Sequence, residues 1–204
     1  MEQRTAELKK ITEELQKSRL ELELMAHSDP LTGLPNRRMF SEQFRRLLAT
    51  CRRQENRSFT LILFDLDKFK EINDKHGHDA GDAWLRLVAE RVNAIVRESD
   101  CFARVGGDEF AILVADPIDT SGIAALYSAL AASVKDPFLV NGSALNTTFS
   151  VGVATYPQDG EEEAILFKAA DIALYRVKRA GGNGWKQYTA AEEAVSEFTN
   201  TATH

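Results

Sequence analysis

The sequence predicts an α+β domain with helices packed on a mainly antiparallel sheet, and three observations predict it. Strand-like and helix-like segments follow one another irregularly, not in the strict alternation of a parallel βαβ sheet. Two short β-prone runs, Phe102–Val105 and Phe110–Val114, are separated only by Gly-Gly-Asp-Glu, a hairpin signal. The apolar run Ser58–Phe64 reads as a buried central strand.

Taken in order, residues 1 to about 26 are rich in Glu, Lys, Leu and Gln without Gly or Pro, which predicts one exposed helix. Leu8, Ile11, Leu15, Ser18, Leu22 and Met25 recur at spacings of three and four, the narrow stripe of a coiled-coil dimer seam. Pro30 disfavours helical geometry at Asp29 and ends this segment. The turn cluster Gly33-Leu34-Pro35-Asn36 precedes a helical pattern from about Arg37 to Arg53. Residues 79–97 alternate at helical spacing, a helix is expected from Ser121 to Lys135, and strands near Phe138–Val140 and Asn146–Ala154. A last helix, from about Glu161 to Ala180, stops at Gly181-Gly182, and Trp185–Tyr188 reads as an edge strand. The expected organisation is thus a signalling helix at 1–27, one domain at 28–190 and a polar tail at 191–204.

Bulk properties narrow the function. The 204 residues suit one domain with an appended segment, and a net charge of −6 argues against nucleic acid as a partner. Two distant cysteines, Cys51 and Cys101, exclude a disulfide scaffold or zinc ribbon and suit a reducing compartment. No apolar run reaches the length of a membrane span. The expectation is a cytoplasmic domain, with a full-length protein free to be membrane-tethered through a region outside this chain.

Two constellations carry chemistry. The first is Phe64-Asp65-Leu66-Asp67-Lys68-Phe69-Lys70, where an apolar strand ends in a carboxylate. Asp65 and Asp67 share a face only if the strand persists that far. The second is Gly106-Gly107-Asp108-Glu109-Phe110, two glycines that let backbone approach a ligand, then two adjacent carboxylates that repel unless screened or bridged by a cation. Alone, each also fits an ordinary acidic strand end or a charged turn. Together, Asp65 and Asp108 make a carboxylate pair of the kind that holds Mg²⁺ beside substrate phosphates.

These motifs, in order, resemble the GGDEF family of diguanylate cyclases. The likeness extends to Asp29-Pro30-Leu31-Thr32-Gly33-Leu34-Pro35-Asn36-Arg37, to Asn73-Asp74, to His78-Asp79-Ala80-Gly81-Asp82, to Ser150–Ala154, and to Ala170–Tyr175 with Lys178. The resemblance implies a palm-like nucleotide-cyclase fold with a central five-stranded sheet flanked by helices. It implies that two domains, each holding one GTP, face one another as a homodimer. Each 3′-hydroxyl then attacks the opposite α-phosphate, yielding cyclic di-GMP and two pyrophosphates. Mg²⁺ or Mn²⁺ would be bound by Asp65, Asp108, Glu109 and the Leu66 carbonyl, with Glu109 also assigned to 3′-hydroxyl activation. Asn73 and Asp82 would hydrogen-bond guanine, while Phe69, Lys70, Gly107 and Lys178 would meet the substrate, Lys178 at its terminal phosphates. Without the family, Asn73 could cap a short turn, Asp82 could start the next helix and Lys178 could complement a helix end. Arg97 and Asp100 resemble the family's inhibitory site for the product; read alone they are an exposed i,i+3 ion pair. An upstream sensor domain is the implied partner.

One departure stands out. The family usually places Arg at position 182, and this chain has Gly182, with Arg179 and Lys186 as nearby cations. Two other readings share these residues. Intact Asp65, Asp108 and Glu109 argue against a receptor that only binds cyclic di-GMP, and Gly182 alone leaves open a GTP-binding module without turnover.

Overall fold

The computed structural model describes residues 11–12, 14–16, 26–54, 57–140 and 143–190. The expected seam therefore lies mostly outside the described residues, as does the polar tail. Within it, Ile11 and Leu15 are helical and exposed.

Helix α1, Arg37–Arg53, starts where the Asn36 side chain accepts from the Met39 amide at 3.0 Å. Its Phe40, Phe44, Leu48 and Cys51 fall at helical spacing on one buried face. Strand β1, Phe59–Leu66, is buried along its whole length, as expected for a central strand. A short helix, α2 (Phe69–His76), follows, then α3 (His78–Asn93) after Gly77. The sequence reading extended this helical pattern to residue 97; beyond Asn93 the chain instead continues as turns.

Strands β2 (Cys101–Arg104) and β3 (Glu109–Val114) form the expected hairpin, followed by α4 (Thr120–Ser133). Strands β4 (Phe138–Val140) and β5 (Ser143–Leu145) pair only with each other, and β6 (Phe149–Tyr156) joins the main sheet. Helix α5 spans Glu163–Arg179 and β7 spans Gly184–Gln187. The strand expected at Asn146–Ala154 is thus interrupted at 146–148. There the chain serves the end of β1: the Thr147 hydroxyl donates to the Asp67 carbonyl at 2.8 Å, and the Thr148 carbonyl accepts from the Asp67 amide at 2.9 Å.

The main sheet has the order β2-β3-β1-β6-β7, antiparallel except where β7 joins β6 in parallel. Side chains alternate across β1. Leu61 and Leu63 pack with Phe40 and Phe44 of α1 and Leu166 and Ala170 of α5. Ile62, Phe64 and Leu66 pack with Trp84 and Leu85 of α3 and Leu130 of α4. Phe64 stacks on its cross-strand partner Phe110, ring centroids 5.4 Å apart, worth roughly 1 kcal/mol beyond burial. By the same alternation Asp65 faces the α1 and α5 layer, at the end of the sheet where the hairpin turns. Both cysteines are free thiols.

Candidate active site

Antiparallel register is what joins the two motifs. Asp65 lies directly opposite Glu109, one pair beyond Phe64 and Phe110. Asp108 precedes Glu109 at the hairpin tip, so three carboxylates from distant sequence segments converge at one end of the sheet. Helix α5 adds a cation: Lys178 Nζ lies 2.7 Å from Asp65 Oδ2. Burial pushes the Asp65 carboxyl up to about 6; the hydrogen bond from Lys178 opposes the rise, and the charges of Asp108 and Glu109 add to it.

The Glu109 side chain folds back over Gly106, occupying the space that a Cβ there would need. The Glu109 carbonyl closes the turn by accepting from the Val105 and Gly106 amides at 3.0 and 3.3 Å. The tip is also tied from outside. Arg104 donates through Nε and Nη2 to the Gly107 carbonyl at 3.0 and 2.7 Å, and through Nη1 to Asp29 Oδ1 at 2.9 Å. Asp29 in turn accepts from the Thr32 amide and hydroxyl. Sequence reasoning missed Arg104, because an arginine ending a strand carries no signal of its own.

The other expected contacts divide. At the start of α2, Lys68 sits in the left-handed region with φ 59° and supplies no side-chain cap, so the Phe69 and Lys70 amides open a helix N-terminus with no intrahelical acceptors. Asn73 Oδ1 is buried against Gly81, next to Asp82, and accepts no hydrogen bond from a described residue. Asn73 lies inside α2 and Asp82 in the body of α3, so neither is the cap or helix start that the residues alone suggested. Asp67 does not join Asp65. Strand β1 ends at Leu66, and the Asp67 carboxylate turns to the Thr148 and Ser150 hydroxyls, 2.5 Å each.

Arg97 and Asp100 line a separate cavity of about 540 Å³ with Met39, Gln43 and Phe102. The ion pair that the two residues suggest when read alone is not formed: Asp100 Oδ1 accepts from the Ala115 amide at 3.2 Å and from the Ser99 hydroxyl at 3.4 Å, and Arg97 is exposed.

A hard divalent cation fits the donors at the sheet end, which are oxygens only. Among the described residues no group of three or more His, Cys, Asp or Glu is placed to hold a metal ion by itself. A buried Asp65 beside the more accessible Asp108 and Glu109 suits a metal shared with substrate phosphates better than a closed structural site.

Fold and site together define a palm-like nucleotide-cyclase domain. A family model for the diguanylate cyclase GGDEF domain matches residues 26–184. Diguanylate cyclase TpbB of Pseudomonas aeruginosa is 41% identical over 167 residues, covering 81% of this chain and 38% of that protein. Cyclic di-GMP phosphodiesterase NbdA of the same species is 43% identical over 162 residues, covering 79% of this chain and 20% of that protein. The solved GGDEF domain of TpbB superimposes with a TM-score of 0.78 at 35% identity, covering 84% of this chain and 99% of that one. The coiled coil and GGDEF domain of DgcB from Caulobacter crescentus, in complex with c-di-GMP, gives 0.80 at 27% identity, covering 93% and 98%. The chain belongs to the GGDEF family of diguanylate cyclase domains. It spans 38% or less of the length of these two relatives. No described helix is long and apolar enough to cross a membrane.

Proposed function

We propose that the domain condenses two GTP molecules into cyclic di-GMP, and the observation that carries this is the register placing Asp65 opposite Glu109, with Asp108 at the adjoining tip and Lys178 against Asp65. In each of two equivalent steps the 3′-oxygen of one GTP bonds to the α-phosphorus of the other. The bond from that phosphorus to the β-bridging oxygen breaks, pyrophosphate leaves, and the hydroxyl proton passes to Glu109 and then to solvent. Asp65, Asp108, Glu109 and the Leu66 carbonyl would hold Mg²⁺ or Mn²⁺, which when bound polarises the phosphate and offsets leaving-group charge.

Lys178 neutralises the terminal phosphates, and the Phe69 and Lys70 amides at the start of α2 offer donors to the same anion. The Gly107 backbone lies against the nucleotide without a Cβ in the way. Asn73 and Asp82 read guanine: the carboxylate accepts from N1–H and the exocyclic amine, and the Asn73 amide N–H donates to the exocyclic carbonyl oxygen. One domain supplies one half of a two-fold product, so a homodimer is the working unit. The Arg97 and Asp100 cavity supports product inhibition at a second site, since Arg stacks on and forks to guanine and Asp accepts from its N–H groups. The helix at 1–27, joined to an upstream sensor, would pair two such domains, each comprising residues 28–190, in the cytoplasm.

The test is incubation of the purified chain with GTP and Mg²⁺, resolving nucleotides by chromatography. Cyclic di-GMP and pyrophosphate are expected in a 1:2 ratio, as two condensations per product require. No cyclic di-GMP at high protein concentration, after bound product has been stripped, overturns the proposal.

A further inference from the structure

Asp67 follows the last residue of β1, and its carboxylate accepts three hydrogen bonds, none of them from a group assigned to metal or nucleotide. Its Oδ1 accepts from the Ser150 hydroxyl at 2.5 Å. Its Oδ2 accepts from the Thr148 hydroxyl at 2.5 Å and from the Asn183 amide at 2.8 Å. Three donors converge on it, two hydroxyls and one backbone amide, which suits an acceptor-only group. Bonds of this length to an ionised acceptor are charge-assisted.

The turn that Asp67 holds is strained. Gly181, Gly182 and Asn183 have φ of 110°, 76° and 53°, three consecutive residues at positive φ, the last not a glycine. A second element steadies it, since Tyr127 Oη on α4 donates to Asn183 Oδ1 at 3.2 Å. This turn begins directly after the helix end that carries Lys178. The two acidic residues flanking Leu66 therefore grip the same end of α5, Asp65 by the Lys178 side chain and Asp67 by the backbone that follows.

Gly182 explains why the grip matters here. A Cβ at this position would lie 2.7 Å from Asp67 Oδ1, so the Asp67 carboxylate fills the space from which a side chain at 182 would start. The Gly182 amide is already spent on the Val177 carbonyl at 3.0 Å, and the Gly181 amide on Lys178 at 3.1 Å. Lys186 lies outside the turn, three residues after Asn183 on β7 and opposite Gly152. In this chain the turn contributes shape and position, not a charge.

We infer that Asp67 is a positioning residue for the terminal-phosphate end of the nucleotide site, locking the Gly181–Asn183 turn so that Lys178 is presented to the last phosphate without help from an arginine. The inference rests on the GTP reading above. Asp67 then governs discrimination between a nucleoside triphosphate and a diphosphate while leaving the metal carboxylates in place.

The experiment measures binding of 3′-deoxy-GTP and 3′-deoxy-GDP, which lack the attacking hydroxyl and do not turn over, by calorimetry with Mg²⁺. The wild type should prefer the triphosphate. Asp67→Ala should weaken triphosphate binding about tenfold and diphosphate binding less than about threefold, as loss of charge-assisted positioning implies. Steady-state assays should show the same change in KM for GTP, with kcat within about threefold. Ser150→Ala and Thr148→Val each remove one donor to Asp67 and should give intermediate shifts in the same direction; they decide the matter if Asp67→Ala does not fold. A preference for triphosphate unchanged in these variants, or equal losses for both nucleotides, overturns the role of Asp67 alone. A wild type that binds neither nucleotide, or binds both equally, overturns the substrate reading and this inference with it.

Discussion

Arg104 holds Asp29 with one nitrogen and the Gly107 carbonyl with two others, so removing its guanidinium releases the 29–36 loop and the acidic hairpin together. Both side chains of the ion pair are largely buried. Arg104→Ala should cost about 2–3 kcal/mol in urea denaturation, because Asp29 is left without its ionic partner. Cyclase activity should fall by more than that loss of folded protein explains, since the tip bearing Asp108 loses its tether. Burial alone would raise the Asp29 carboxyl, but hydrogen bonds from Thr32 and Arg104 outweigh it and hold it below the ordinary aspartate range. The folded chain thus binds this proton more weakly than the unfolded chain. Its stabilisation is complete above the unfolded-state pKa and is lost as pH falls through the lower folded-state value. Denaturation followed from about pH 7 to about pH 3 should therefore show a shallower acid limb for Asp29→Asn than for the wild type. At the proposed site, Asp108→Ala should lower turnover by roughly a hundredfold or more with an unchanged circular dichroism spectrum, as the proposed metal role of Asp108 requires. Asp65, Asp108, Glu109 and Lys178 could be named as candidates from the sequence because their motifs are ordered along the chain. The Arg104–Asp29 link and the side-chain bonds of Asp67 could not, because those partners lie 75 to 116 residues away.

At the scale of elements, the contact of α5 with β6 decides how Lys178 reaches Asp65. A Cβ on Gly152 would collide with the backbone of Ala170 and Leu174, so helix and strand are as close as glycine allows. Gly152→Ala should push the helix off the sheet, costing about 3 kcal/mol in thermal or urea denaturation, and should reduce GTP affinity because Lys178 moves with it. A stability loss below about 1 kcal/mol would contradict this contact. Within the described domain, periodicity located the long helices and the central strand well, because a buried face imposes its spacing on the chain. It overran the 146–148 break and the end of α3. In those places side chains serve neighbouring elements, and no local pattern marks that.

For the whole molecule, the proposed reaction needs two domains and thus predicts a second-order dependence on the chain. Specific activity should rise with protein concentration and level off once dimers dominate, which sedimentation can follow in parallel. Removing residues 1–26 should move that plateau to higher concentration if the seam pairs the domains. Arg97→Ala should leave initial rates unchanged and relieve inhibition by added cyclic di-GMP. An unchanged inhibition constant would remove Arg97 from the second site.

By itself the sequence determined the α+β class, the hairpin and the central strand, and it supplied the acidic and basic candidates for the proposed site. These follow from local patterns: alternation, helical spacing, glycine pairs and ordered motifs. Only the tertiary structure decided which carboxylates meet. Register, not proximity in the chain, sets Asp65 against Glu109. Strand termination sends Asp67, two residues on, to a different task. A change of one residue in where β1 ends would redirect that side chain, and such an end is chosen by hydrogen bonds from Thr147 and Thr148 that no sequence window around Asp67 contains.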